Sequence, residues 1–194
     1  MGELGTMPQS NRDEGAANGS LHAMESAQAV AKEFKGVRVQ VSTSLPFDEV
    51  LARLRALMGN ASIPGLVRLA MQTTSQQEYA REVTQRYVGE SGFMLFGEID
   101  HGGWISKFGI NRRIIRLILG NPLIAITMIR HDITAGLFAP VELLVTENED
   151  GPGAVMTYVR PSSLMVIEEN PPLLAAAKAL DQKFEALVAR AADA

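Results

Sequence analysis

The sequence contains no cysteine. That absence removes disulfides, thiolate zinc sites, iron–sulfur clusters and cysteine nucleophiles together, and it fits a reducing compartment. Long apolar runs are missing too: "NPLIAITMI" at 121–129 is the longest, far short of the roughly 20 residues of a membrane span. Basic charge is scarce, with 18 Lys and Arg against 22 Asp and Glu and no long run of either sign. A nucleic-acid binder shows a basic face, so neither nucleic acid nor membrane is expected as a partner. The first 20 residues have neither the basic start nor the apolar core of a signal peptide, and the expected location is cytoplasmic.

What is present describes a folded domain: 46% hydrophobic and 21% charged residues over 194 positions, room for one core plus a tail. Residues 1–20 are rich in Gly, Asn, Ser and acid and read as a flexible tail. Apolar residues at steps of three and four from Leu21 to Phe34 predict a short helix up to about Lys35, so that 1–35 is read as a tail with a helix and 36–192 as a single domain.

Val37, Val39 and Val41 alternate with polar residues, the period of a half-buried strand. "SLPFDEVLARLRALMG" follows with a proline at a helix start and an apolar stripe from Val50 to Met58. Between 60 and 91, "SIPGLVRLAM" suggests a short helix and "SQQE" a capping box that opens a second, together a helical insert. Residues 92–99 and 113–119 read as strands, with Asp100 capping a short helix after the first and Asn121-Pro122 opening a helix after the second. Two further strands, about 140–147 and 154–160, form a hairpin around an acidic Gly-Pro-Gly turn. A loop follows Pro161, then a last helix from about Pro172 with an apolar stripe from Leu173 to Ala191. The expected class is α+β: a mostly antiparallel sheet of about five strands with flanking helices.

"PFDEVLARLRALM", "GFMLFGEIDHGGWISKFGI", "RLILGNPLIA", "APVELLVTENEDG" and "MTYVRPSSL" stand in the order found in the domain-of-unknown-function 302 family, which the chain resembles over roughly 37–192. The resemblance implies a β-α-β4-α arrangement like that of TATA-binding protein, often as a homodimer, and no established reaction. Two departures stand out. The 60–91 stretch is longer than the family's short turn, and Ala125-Ile126-Thr127 replaces a Gly-Thr-Pro, so a ligand role of that threonine does not carry over.

The candidate residues are few. Asp100 has a local reason as a helix cap, whereas His101 beside it is not needed for capping and suits acid–base work or a ligand contact. His101 with His131, itself placed where a helix C-terminus welcomes positive charge, would be the donors of a zinc or iron site if the fold brought them together. Gly120 and Asn121 sit at a helix start that attracts anions, with Arg116 able to add charge, although Arg112, Arg113 and Arg116 also read as guards of an exposed sheet edge. The leading expectation is a homodimeric binding domain for a small, anionic ligand near Asp100-His101. The alternatives are an enzyme using His101 and Asp100, with or without a metal, and a scaffold protein that works through 60–91. No cofactor is specified.

Overall fold

The structure, a computed structural model, describes residues 29–193. Its centre is a six-stranded sheet: β1 (Arg38–Thr43), β2 (Gly59–Asn60), β3 (Met94–Asp100), β4 (Ile114–Gly120), β5 (Val141–Glu147) and β6 (Ala154–Val159). The spatial order is β1-β6-β5-β4-β3-β2, and every pairing is antiparallel except β2 with β3. The mostly antiparallel α+β class expected from the sequence is therefore what the chain adopts. The sixth strand is β2, two residues beside Met94 and Leu95 and too short to leave a periodic signal.

Two helices back one face of the sheet. α1 (Phe47–Leu57) buries Phe47, Val50, Leu51 and Leu54, the stripe that repeats at three and four residues. Pro46 stands at its N-cap position, one residue earlier than the helix-start proline expected, because its own backbone remains extended. The last helix, α7 (Pro171–Ala192), is capped by Asn170 and buries Leu173, Ala177, Leu180, Phe184, Leu187 and Ala191. Against them the sheet turns Leu117 and Leu119 of β4, Leu143 and Val145 of β5 and Met156 and Tyr158 of β6, in strict alternation.

On the opposite face, at the β2–β3 end, α2 (Ile63–Gln72) and α3 (Gln76–Tyr87) cover Met94 in a separate small core with Leu69 and Val83. Ser62 and Ser75 cap these helices, the latter in the capping box read from "SQQE", where Glu78 binds back to Thr74. Among the described residues, the remainder of that face, under β4, β5, β6 and β1, carries no helix pair.

Three local expectations are corrected. The helix expected over Leu21–Lys35 lies mainly outside the described residues, and 29–35 carry no helix, with Val30 and Phe34 exposed and offering no buried stripe. Of the loop expected after Pro161, only 166–170 lack helix: 161–165 form α6 (Pro161–Met165), which packs on α7, tied by the buried Asp181 carboxylate, which accepts the Ser162 N–H at 2.9 Å. Finally, β4 lies between β5 and β3, so Arg112, Arg113 and Arg116 guard no edge. Arg113 instead pairs with Asp48 and stacks over Phe47 at 4.3 Å, and Arg116 pairs with Glu142 on the far face.

Candidate functional site

The register of β3 and β4 decides how the candidate residues are grouped. Met94 faces Gly120 and Asp100 faces Ile115, so Asp100-His101 and Gly120-Asn121 sit at opposite ends of an antiparallel pair, about 20 Å apart along the strands. Within one chain they share no pocket.

At the Asp100 end, the short helix α4 (Gly102–Ile105) begins immediately after the strand. The Asp100 carboxylate accepts the Gly103 N–H at 3.1 Å, the capping role read from the sequence. Gly102 is required by close approach, because a Cβ there would lie 2.7 Å from the Arg112 carbonyl oxygen. His101 donates its backbone N–H to the Ile114 carbonyl, and its ring meets Trp104 edge-on with centroids 5.9 Å apart; Trp104 in turn meets Phe108. The imidazole thus has the packing partner that sequence alone did not supply. We expect Asp100→Ala to cost about 1 kcal/mol, the worth of a cap, in a urea titration. His101→Ala, which loses one ring contact at an exposed end, should cost less than that in the same assay.

A cleft of about 330 Å³ opens beside Asp100, between α1 and the β4 entrance. It is lined by Asp48, Asp100 and Glu147 and by Arg55, Arg112 and Arg113, while His101 does not reach it. Arg55 binds Glu98 through two hydrogen bonds of 2.7 and 2.6 Å, Arg113 binds Asp48, and Arg112 binds Glu149 and the Glu147 carbonyl. The hydrogen bond from Arg113 holds the Asp48 carboxyl below the usual carboxylate range. Three cations therefore meet three lining carboxylates plus the two partner carboxylates of Glu98 and Glu149. That balance disfavours an anion at the Asp100 helix start.

His131 follows the helix α5 (Pro122–Ile129), which begins at the Gly120 end. Its backbone N–H binds Met128 and its carbonyl accepts from Asn170, and the residue is exposed. Among the described residues, no group of three or more His, Asp or Glu side chains is gathered as a metal site. Asn121 caps α5: its Oδ1 accepts the Leu123 N–H and its Nδ2 donates to the Gly92 carbonyl, both at 2.8 Å. Both ends of that amide are used.

Arg116 leads to a different space, on the other face of the sheet. On the open face it lies beside Leu144, which lies beside Thr157, while Arg38 lies beside Val159. Over this floor a hollow of about 390 Å³ is walled by Phe138, Pro140 and Leu164. Phe138 belongs to the 3-10 turn Ile133–Phe138 and is backed edge-on by Phe34 at 6.1 Å. Arg38 has no carboxylate partner among the described residues, whereas Arg116 has the exposed Glu142. Sequence reading singled out Arg116 but not Arg38. Arg38 is a polar position of an alternating strand and Arg116 the one polar side chain of an otherwise apolar strand, and only the pairing of β1 with β6, across the sheet from β4, puts them over one floor.

A six-stranded, mostly antiparallel sheet with two backing helices on one face defines a small α+β domain. The sequence matches the family described as Domain of unknown function DUF302 over residues 69–191, well over half its length, and the chain belongs to that family. Among solved structures it is similar to the crystal structure of an uncharacterized conserved DUF302 protein from Bacillus stearothermophilus, with a TM-score of 0.56 and 16% identity over 79% of this chain and 97% of that one. No curated protein matches it. The family match begins within α2, later than residue 37 where the resemblance of motifs started. No helix among the described residues is long and apolar enough to cross a membrane.

Proposed function

We propose that this protein is a binding domain for a small organic anion, held in the hollow over the open face of the sheet rather than at the Asp100-His101 helix start. The observation that carries this reading is the pairing of an apolar floor and walls with two guanidinium groups that outnumber the one carboxylate, Glu142, beside them. A volume of about 390 Å³ lies within the usual range of ligand pockets, about 300–1,000 Å³. Guanidinium groups match a carboxylate through parallel hydrogen bonds, and Arg116 keeps free N–H groups beyond the one on Glu142. Leu144, Val159, Phe138 and Leu164 would take a compact apolar body, aryl or branched, attached to that carboxylate.

A thermal-shift screen of aryl and branched carboxylates, with their neutral amides as controls, tests this. Acids should raise the melting temperature and amides should not. Arg38→Ala and Arg116→Ala should each weaken the acid roughly tenfold or more, as expected for losing a charge-assisted hydrogen bond. Equal binding of acids and amides, or no effect of either substitution, would contradict the assignment.

A further inference from the structure

α5 reads Pro-Leu-Ile-Ala-Ile-Thr-Met-Ile, with Thr127 its one polar side chain, yet only Met128 of its eight residues is buried. A helix that is apolar on every side belongs in an interior. Here Ile126 is 43% exposed, and α5 forms one wall of an open groove of about 1,020 Å³ whose other wall is the corner between α2 and α3, where Ala70, Tyr79 and Ala80 line it together with the polar residues 73–76. At the start of α5 the groove adjoins a narrower pocket of about 180 Å³ reaching Leu66, Phe93, Phe96 and Leu180, and both spaces are lined by Pro122 and Ala125. The β3 irregularity between Leu95 and Gly97 falls at Phe96, which lines this pocket.

The narrow pocket offers water little. Its one polar side chain, Asn121, spends its amide on Gly92 and Leu123, and an apolar cavity of about 150 Å³ stays dry and accepts a hydrocarbon instead. The far end of the groove differs in kind. Arg130 lines it, with its Nε on the Ile126 carbonyl and no carboxylate partner among the described residues. From Pro122 to Arg130 the helix rises about 12 Å, a span that an extended chain of roughly ten carbons covers.

We infer that this groove binds a free straight-chain carboxylate of medium length, its hydrocarbon end in the pocket beneath Gly120 and Asn121 and its carboxylate on Arg130. Pro140 and Val141 line both the narrow pocket and the hollow at Arg38 and Arg116, but the charged end of this site is Arg130, and neither proposal depends on the other.

Calorimetry with decanoate and with 1-decanol, both below their aggregation limits, tests it on the full chain. Decanoate should bind saturably, and Ala125→Leu, which adds bulk at a residue lining both pocket and groove, should weaken both probes about tenfold or more. Arg130→Gln lies at the exposed helix end, where folding is little affected; it should weaken decanoate about tenfold and leave decanol unchanged. Retention of binding in Ala125→Leu, an equal loss of both probes in Arg130→Gln, or no saturable binding to the wild-type chain would overturn the inference. So would sedimentation showing a dimer that Ile126→Glu dissociates and decanoate does not, since a second copy would then be what covers α5.

Discussion

Phe184→Ala should lower the unfolding free energy by about 3–5 kcal/mol, measured by urea titration. Phe184 is fully buried in α7 at the point where that helix crosses the sheet. Its ring lies 4.6 Å from Tyr158 of β6 and 6.1 Å from Phe93, which precedes β3, centroid to centroid. The side chain therefore joins strands from both halves of the sheet. The loss combines transfer of the ring with a residual cavity. A cost under about 1.5 kcal/mol, the range of volume-conserving swaps, would mean that the α7–sheet interface is looser than described.

Gly59→Ala should be at least as damaging as ordinary overpacking, about 3 kcal/mol or more, for a different reason. A Cβ on Gly59 would stand 1.8 Å from the Tyr87 carbonyl oxygen and 2.7 Å from the Gly89 nitrogen, so it meets backbone rather than a side chain that can swing away. Gly59 also donates to the Phe93 carbonyl and forms half of β2. The segment after α3 has to shift, and with it the parallel pairing that anchors the α2–α3 pair. Hydrogen exchange should show faster opening at 59–61 and 87–95 than in β5 and β6. Uniform destabilisation across all strands would contradict this local account.

Legibility in the sequence followed physical range. Alternation in β1, β5 and β6 and the three-and-four stripes of α1 and α7 were readable because each element buries one face, and Ser75 and Asn121 mark helix starts by chemistry acting within three residues. The short β2, the α6 turn and the 3-10 turn at Ile133–Phe138 were not, because tertiary contacts hold them. Site residues divide the same way. Asp100 as a cap is local, and the structure finds it so. Where Arg113 and Arg116 point, and that Arg38 joins the latter, depends on strand order, and a run of arginines beside a strand cannot tell an edge from a centre. His101 drew notice as the residue lacking a local reason; its partner, Trp104, was three residues away, but the turn that brings the rings together was needed to recognise it.

Amide chemical-shift mapping during titration with phenylacetate tests the central claim most directly, because it reports location without presuming affinity. The account predicts saturable shifts at Arg38, Arg116, residues 142–144 and residues 157–159, removed by combining Arg38→Ala with Arg116→Ala. Shifts concentrated at Asp100–Gly103 and Asn111–Ile115 instead would place the ligand at the acidic cleft and refute the assignment to the open face of the sheet.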